Sequence, residues 1–410
     1  MESRKGILDG IRIVEAGGWI AGTGAGVLLG SLGAEVIKIE DPVRGDSYRG
    51  AAVQYGEIMS LNGRHIGFES ANLNKKSLTL DLAREEGRQI LHDLVSKSDV
   101  FHTNYPESTI DKLGLSYQTL KQHSPKLIYC RTSSFGLRGP RKAHRAYDTL
   151  AQAQSGLMWT MGDRRIDEPL GAVGAPLDQL TATLMAFGIV CALLGRERLG
   201  QSQEVNVSLL GSAVHLQTIG TNVALLRGHS LKRFSRSTSL NPMSNHYRCK
   251  DDKWIMLAEP MSDRYWAEFC HVMGLDHLAD DPRFAVQLGG RSKHNKELIQ
   301  ILDQTFGSKT RGEWIRAFEE NNAGFGYAPI LTVDEAAQDA DVVENRYVVD
   351  FAHALFGNVR LAGFPVEFSE TPAYIRSEAP EHGQHTEEVL ADVLGYDWDR
   401  ITRLRDDSII

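Results

Sequence analysis

Asp178 is the residue whose type and surroundings most clearly suggest covalent chemistry. It ends the segment Gly174-Ala175-Pro176-Leu177-Asp178, just before a long apolar stretch that predicts a helix. An aspartate in this place commonly caps the helix, and the spacing alone favours that structural role. A carboxylate there can also act as a nucleophile, because the helix N-terminus stabilises its anionic form. The residues themselves leave both roles open.

Other familiar catalytic and metal-binding patterns are missing from the sequence. There is no GxSxG and no HExxH motif, so serine hydrolase and zinc peptidase chemistry lack support. His382 and His385 lie close together, but HGQH has no third ligand in view and is typical of a solvated loop. No cysteine forms a CxxC or CxxH pair, and Cys191 lies in an apolar run where we expect it to pack. We predict no bound metal and no redox cofactor.

The first forty residues imitate a dinucleotide-binding unit. A β-branched run is followed by a glycine turn, a small-residue helix and a second strand that ends at Glu40. Gly22, Gly24 and Gly26 give no GxGxxG directly after the first strand, so a nucleotide-dependent oxidoreductase is only an alternative. The general expectation for such sheets remains that a ligand binds at the carboxyl ends of the strands.

Bulk composition narrows the function classes further. With 410 residues, the chain exceeds what one hydrophobic core usually serves, which predicts two domains. A formal net charge of -8 argues against a nucleic-acid partner. No run of about 18 uninterrupted apolar residues is present, and the N-terminus has no apolar signal region, so we expect a cytoplasmic protein with no membrane partner.

The order of the predicted elements indicates a mostly parallel sheet with helices on both faces. Strands alternate with helices over the first two hundred residues. The predicted strands are 11–14, 34–39, 77–82, 99–101, 127–129 and 205–208, and the predicted helices are 21–32, 85–96, 147–158 and 182–194.

The texture of the chain changes after a polar and basic stretch at 227–245. A strand at 253–258 and amphipathic helices at 263–273, 296–305 and 311–320 follow, with Trp266, Trp314 and Phe318 as expected core anchors. A strand at 347–351 and a helix at 386–394 come last. We predict a large first domain over 1–225, a small domain with its linker over 226–330, and a return segment over 331–410 that completes the large domain.

Several segments together resemble the class III CoA-transferase family, which includes the formyl-CoA and carnitine CoA-transferases. The likeness runs nearly end to end, and the phrases LGAEVIKIE and GD-x-x-R are specific when they occur together. The segments are LDGIRIVEAGGWIAGTGAGVLLGSLGAEVIKIEDPVRGDSYR (8–49), NKKSLTLDL (74–82), SDVFHTNYPESTIDKLGLSY (98–117), AYDTLAQAQSGLM (146–158), GAPLDQLTATLMAFGIVCALLGRERLGQSQEVNVSLL (174–210) and APEHGQHTEEVL (379–390).

The resemblance implies an α/β fold. The large domain would be Rossmann-like and built from both chain ends, a smaller α+β domain would be inserted between them, and two subunits would form an interlocked dimer. A homodimer and a heteromer with a homologous subunit are both compatible with the sequence.

The resemblance also implies the site. Asp178 aligns with the family's nucleophilic aspartate, which outweighs the capping role. Residues that correspond to the family's coenzyme A site are Ile20, Ala21, Leu80, Leu82, Asn104, Tyr105, Lys112, Arg145, Tyr147 and Asp148.

This chain departs from the family pattern at several of those places. Formyl-CoA transferase has a glutamine where Ile20 stands, and the family's basic residues after the second and third strands are Asp41 and Ala83 here. Arg44 and Arg84 are neighbouring candidates to replace the missing charges. The glycine-rich loop that covers the oxalate site in formyl-CoA transferase has no counterpart at 227–245, so oxalate is not the expected acid.

The implied reaction moves coenzyme A from an acyl-CoA to a free carboxylic acid, through an aspartyl anhydride and an aspartyl-CoA thioester. Coenzyme A and acyl-CoA are substrates, and no cofactor is permanently bound. Trp19, Ile20, Met158 and Trp159 could form an apolar acyl pocket, which favours a bulky or aromatic acid, with succinyl-CoA as a candidate donor.

The family also contains α-methylacyl-CoA racemases, which are the alternative. They pair the aspartate with a histidine as the second acid–base group. That histidine aligns with Tyr147, a poor proton acceptor at neutral pH, and His144 is expected to point elsewhere. Transferase chemistry is therefore the preferred interpretation.

Overall fold

The computed structural model describes residues 5–50 and 53–410, in which strands and helices alternate. The strands are β1 (Arg12–Ala16), β2 (Glu35–Glu40), β3 (Val53–Gln54), β4 (Glu57–Ile58), β5 (Ser60–Leu61), β6 (Arg64–His65), β7 (Lys75–Thr79), β8 (Val100–Thr103), β9 (Ile128–Ser133), β10 (Glu204–Ser208), β11 (Ser244–Arg248), β12 (Trp254–Ala258), β13 (Tyr327–Ile330), β14 (Val348–His353) and β15 (Gly357–Ala362).

The α-helices are α1 (Gly24–Ser31), α2 (Ile66–Asn72), α3 (Glu85–Ser96), α4 (Glu107–Leu113), α5 (Tyr117–His123), α6 (Asp148–Gln154), α7 (Leu157–Thr160), α8 (Pro176–Leu199), α9 (Leu209–Leu216), α10 (Thr218–Arg227), α11 (Ser262–Met273), α12 (Asn295–Phe306), α13 (Arg311–Glu320), α14 (Val333–Ala336), α15 (Ala340–Glu344), α16 (Thr386–Glu388) and α17 (Trp398–Asp406). Short 3-10 helices span Ser47–Gly50, Arg236–Thr238 and Asp276–Leu278, and π-helical turns span Gln287–Arg291 and Val389–Val393.

A six-stranded sheet of order β10-β9-β8-β1-β2-β7 forms the centre of the first unit, and all of its pairs are parallel. The predicted parallel sheet is therefore confirmed. Strand β7 begins at Lys75, two residues before the predicted start, and ends at Thr79 rather than at Leu82. Beyond Thr79 the chain still bonds to β2 once, from Leu80 N to Glu40 O at 2.9 Å, before it turns away.

Alternating residues of the strands bury their side chains in two layers. One layer packs Ile13, Val36 and Val100 against α1 and α8. The other packs Val14, Ile37, Phe101 and Tyr129 against α3, α5 and the C-terminal helix α17. Because α17 contributes Ile401 and Leu404 to this second layer, the end of the chain completes the core that its beginning started.

The chain divides into two compact units. One contains 1–159, 170–230 and 344–410, and the other contains 160–169 and 231–343. These bounds differ from the predicted ones at three places: the segment 160–169, the start of the second unit at 231 instead of 226, and its end at 343 instead of 330. The segment 160–169 joins the second unit because Arg164 N donates to Phe234 O at 2.9 Å. That unit extends past 330 because Glu335, in α14, pairs with Arg311 at 2.9 Å and with Lys253 at 2.7 Å.

The second unit has its own sheet and core. Its antiparallel sheet has the order β11-β12-β13, and α11, α12 and α13 supply most of the helical side of the core. Trp266, Trp314 and Phe318 are buried there, as predicted. Amphipathic spacing placed these helices correctly, and α13 also has the capping box formed by Thr310 and Glu313.

Helix α8 is the 24-residue helix that carries Asp178. By length and composition α8 could cross a membrane, although the sequence has no run of about 18 uninterrupted apolar residues. Core helices of soluble proteins meet the same criteria, and 44% of its most apolar window is buried in this fold. Its buried side includes Met185 and Ile189, whereas Phe187 and Cys191 are exposed. The prediction that Cys191 packs in the core was therefore wrong for the single chain.

Candidate active site

A cavity of about 620 Å³ lies in the first unit at the carboxyl ends of the parallel strands. This is the edge at which ligands bind in open α/β sheets. Its lining comes from the loops after β1, β2, β8 and β9 and from the start of α8. The residues that line it include Gly17, Gly18, Trp19, Ala21, Asp41, Arg44, Asp46, Asn104, Tyr105, Arg131, Lys142, His144, Arg145, Tyr147, Asp178 and Leu209.

Asp178 is the third residue of α8 and does not cap it. The cap position is Ala175, which has a left-handed φ of 55° and no side-chain acceptor. The buried carboxylate of Asp148 replaces the missing cap: it accepts from Leu177 N at 2.7 Å and from Asp178 N at 3.0 Å. Gln152, one turn further along α6, holds the other oxygen of Asp148. The capping role thus belongs to Asp148, and the Asp178 side chain is free for other work.

The electrostatic setting of Asp178 disfavours its negative charge. Burial, together with repulsion from the nearby Asp148 carboxylate, raises the pKa of Asp178 to about 7. The hydrogen bonds among the described residues include none to its carboxylate, and no cation there counters the shift. A carboxylate with a raised pKa is more basic, and it loses an unfavourable charge when it becomes an ester, anhydride or thioester.

Aromatic rings form one wall beside Asp178. Trp19 lies between Tyr48 and Tyr147, with ring centroids 5.2 Å and 5.4 Å away, and both it and Tyr147 line the cavity. Burial raises the pKa of the Tyr48 phenol to about 12, and the negative charge of the nearby Asp178 carboxylate adds to the shift. The side of the cavity next to Asp178 is therefore aromatic.

The turn that carries Trp19 is held by polar contacts on both sides. Trp19 has a left-handed φ of 61°, which is unfavourable for a residue with a β carbon. Asn104 accepts from Gly18 N at 3.2 Å and donates to Gly18 O at 2.8 Å. Lys38 donates to Gly17 O at 2.8 Å and pairs with Asp46 at 2.9 Å. The turn is thus fixed by the sheet and not by its own preference.

A fully buried charge cluster supports that turn from below. Glu15 binds Lys75 at 2.9 Å through both of its oxygens, Lys38 at 3.3 Å and His102 at 3.2 Å. Burial works against the charge of Glu15, but the two lysines outweigh it and lower the pKa of Glu15 to about 2. Burial also lowers the pKa of Lys75 to about 8, against the attraction of Glu15. We call Glu15, Lys38, Asp46, Lys75 and His102 the charge cluster.

Comparison with known proteins decides the family. The family model described as CoA-transferase family III matches residues 8–386. The chain belongs to this family. It is accordingly a class III CoA-transferase, and acyl-CoA compounds are its substrates.

Curated relatives of this CoA-transferase act on different acids. A cinnamoyl-CoA:phenyllactate CoA-transferase of Clostridium sporogenes is 29% identical, over 100% of this chain and 98% of its own length. A succinyl-CoA:glutarate CoA-transferase of Mus musculus is 30% identical, over 98% of this chain and 90% of its own length. Among solved structures, a CAIB/BAIF family protein from Brucella suis superimposes with a TM-score of 0.83 at 27% identity, covering 95% of this chain and all of that one.

The structure brings part of the predicted site of the CoA-transferase together in the cavity. The predicted residues that line it are Ala21, Asn104, Tyr105, Arg145, Tyr147 and Asp178. Ile20 packs with Trp19 against the cluster that contains Phe68, and Asp148 is buried behind α8. The side chains of Leu80 and Leu82 lie in the core, and Lys112 is exposed in the last turn of α4.

The two candidates for replacing missing basic residues have different fates. Arg44 lines the cavity, next to Asp41, whose carboxylate accepts from the Val43 and Arg44 backbone. Arg84 is not among the lining residues and donates to Asp407 O at 2.7 Å. Arg44 can therefore face a ligand in this cavity, whereas Arg84 is already engaged.

His144, His382 and His385 lie in different surroundings. His144 lines the cavity, although we expected it to point away. The segment 141–146 folds back, with Ala146 N bonded to the Ser134 hydroxyl at 2.8 Å, and this exposes His144 to the cavity. His382 and His385 bond to Asp41 O and Ser77 N, and no group of three metal-binding side chains occurs among the described residues.

Sequence reasoning missed the charge cluster, Tyr48 and Arg131. A usable signal existed for Lys38, because a charged residue inside the apolar strand Glu35–Glu40 must be paired if it is buried. For Glu15 and Lys75 the pairing partners are 60 residues apart. Nothing in the local pattern reveals such a pair.

Proposed function

We propose that this protein transfers coenzyme A from an acyl-CoA to a carboxylic acid, with Asp178 as the covalent nucleophile. The observation that carries the proposal is the setting of Asp178: a carboxylate in the cavity, with a raised pKa and no hydrogen-bond donor among the described residues. Acylation of Asp178 removes the charge that burial and Asp148 disfavour. This lowers the barrier to attack by a group that is a poor nucleophile in water.

The proposed path has four displacements. An Asp178 oxygen attacks the thioester carbonyl, the C–S bond breaks, and the mixed anhydride and CoA thiolate form. The thiolate attacks the Asp178 carbonyl of the anhydride, which releases the donor acid and leaves an aspartyl-CoA thioester. The acceptor carboxylate attacks that thioester and expels the thiolate. The thiolate finally attacks the acceptor carbonyl, forming the new acyl-CoA and freeing Asp178.

The acid is proposed to be bulky or aromatic, with succinyl-CoA as a candidate donor. Support comes from the wall formed by Trp19, Tyr48 and Tyr147, whose tilted and edge-to-face arrangement offers flat apolar surface beside Asp178. Met158 and Trp159, which the sequence also suggests for an acyl pocket, are not among the residues that line the cavity. The names of the two curated relatives include an aromatic acid and succinyl-CoA, which agrees with this assignment.

A dimer with a second copy of the chain is part of the proposal. Support comes from an apolar face along α8, α9 and α10 that stays exposed in the single chain. Its members are Phe187, Val190, Leu194, Val214, Leu216, Ile219, Leu225 and Leu226, with exposed fractions from 37% to 86%. Such a contiguous apolar face indicates a partner surface. Sedimentation at low concentration tests this: a dimer that persists is expected, and a clean monomer would contradict it.

Isotope exchange tests the reaction itself. Purified protein is incubated with an acyl-CoA and the same acid in ¹³C-labelled form, in D₂O, and the CoA ester is examined by mass spectrometry. A panel of aromatic, branched and dicarboxylic acids covers the substrate question. A transferase moves the ¹³C acid into the ester and adds no deuterium at the α-carbon. Deuterium at the α-carbon of a 2-methylacyl-CoA without acid exchange would instead identify a racemase.

A further inference from the structure

Arg131 differs from the other cations of the cavity. It lies in β9, beside Thr103 of β8 and Asn206 of β10, so the parallel sheet fixes its backbone. Its side chain lines the cavity and is half-buried. Its Nε is buried without a hydrogen-bond partner, and the ion pairs of residues 5–50 and 53–410 include none to its guanidinium. The cavity is therefore lined by a guanidinium that forms no ion pair among the described residues and whose buried Nε has no hydrogen-bond partner there.

The remaining cations are arranged differently. Arg44, Lys142 and Arg145 line the same cavity but are exposed to solvent, which hydrates their charges at little cost. A half-buried cation without a partner costs folding free energy, unlike an exposed one. An anion that enters the cavity would remove this cost, so the position suits a ligand group more than a structural one.

The choice of anion follows from where the other charges lie. The reacting acid must come to Asp178, and the charged group beside that residue is the Asp148 carboxylate, not a guanidinium. The phosphates of coenzyme A, in contrast, find no positive charge at Asp41 or Ala83, and Arg84 is bound to Asp407. The cations that line the cavity are the groups left to bind them. A planar guanidinium matches two phosphate oxygens at once.

We propose that Arg131 binds a phosphate group of coenzyme A in this cavity. The inference rests on the proposal that this cavity is the coenzyme A site. It adds a contact that replaces the charge lost at the two altered positions. Binding energy would come both from the new charge-assisted hydrogen bonds and from relief of the unpaired cation.

Calorimetry on full-length Arg131→Met, Arg131→Lys and wild-type protein tests the inference with three ligands: coenzyme A, dephospho-coenzyme A and pantetheine. We expect Arg131→Met to weaken coenzyme A binding by about 10- to 100-fold, as loss of charge-assisted hydrogen bonds does, and Arg131→Lys to restore part of it. Pantetheine, which has no phosphate group, should bind all three proteins alike. Arg316→Met, an exposed arginine of the second unit, is the matched control and should bind like the wild type.

Every outcome separates the possibilities. If dephospho-coenzyme A shows the same loss, the diphosphate is the partner; if it shows none, the 3′-phosphate is. Unchanged coenzyme A affinity in Arg131→Met, or an equal loss with pantetheine, would overturn the inference. Melting without ligand provides a second readout: the variant should be at least as stable as the wild type, whereas a structural arginine would lose stability. Failure of acid exchange by the wild type would instead count against the proposed reaction.

Discussion

Glu15 and Asp178 are two carboxylates of one unit that the fold treats in opposite ways. Glu15 is fully buried, yet two lysines and a histidine surround it and its pKa falls to about 2. Burial also disfavours the charge of Asp178, but there no cation opposes it and the neighbouring Asp148 carboxylate adds to it, so the pKa of Asp178 rises to about 7. Burial alone therefore does not decide the state of a carboxylate; the partners supplied around it do. One arrangement stabilises a turn, and the other suits the proposed nucleophile.

The largest effect should come from the carboxylate that lacks partners. Asp178→Asn removes the proposed nucleophile but keeps the size of the side chain, so acid exchange should fall at least about 10³-fold. Coenzyme A affinity and far-ultraviolet circular dichroism should stay unchanged, which separates lost chemistry from lost structure. Retained exchange in this variant would end the distinction drawn between the two carboxylates.

The next largest effect should come from breaking the charge cluster. Glu15→Gln leaves Lys38 and Lys75 buried with one carboxylate, Asp46, between them. Breaking a buried ion pair from one side costs about 3–5 kcal/mol, and we expect a loss of that size in urea unfolding. A loss below about 1 kcal/mol would show that the cluster contributes little to holding the Gly17–Gly18–Trp19 turn.

The pH dependence of stability should show opposite signs for the two groups. The folded pKa of Asp178, about 7, lies above its ordinary 3.8, so the wild type loses stability relative to Asp178→Asn as pH rises between these values. The folded pKa of Glu15, about 2, lies below its ordinary 4.5, so its contribution is present above 4.5 and is lost as pH falls towards 2. Urea unfolding from pH 4 to pH 8 checks the first sign: a difference between wild type and Asp178→Asn that does not grow with pH contradicts it.

The smallest effect should come from an exposed ion pair that belongs neither to the charge cluster nor to the surroundings of Asp178. Arg403 bonds Glu86 at 2.6 Å, but their side chains are 51% and 36% exposed. Solvent screens such a pair, so Arg403→Ala should leave the free energy of unfolding nearly unchanged. A loss as large as that of Glu15→Gln would remove burial from the explanation.

Local sequence signals predicted much of the fold. The helices Glu85–Ser96 and Arg311–Glu320 have the predicted bounds, because their apolar spacing is strongly helical. The single helix expected over 147–158 is instead two, since Gly156 adopts a left-handed φ of 83° that ends the first. Such a break depends on tertiary packing that the local pattern does not contain.

The site divides in the same way. The family resemblance identified Asp178, which lines the cavity with Tyr147 and Asn104 as expected. It could not reveal that Asp148 caps α8 from 29 residues away and raises the pKa of Asp178 at the same time. Nor could it reveal that Arg131 is unpaired, because the absence of a partner is visible only when all neighbours are in place.

The most direct test of the central claim is to trap the acyl group on Asp178. The wild type and Asp178→Asn are incubated with an acyl-CoA and hydroxylamine, digested, and mapped by tandem mass spectrometry. An aspartyl hydroxamate at Asp178 in the wild type, and none in the variant, is the predicted result. A hydroxamate at a different carboxylate, or acid exchange by the wild type with Asp178 left unmodified, would contradict the account.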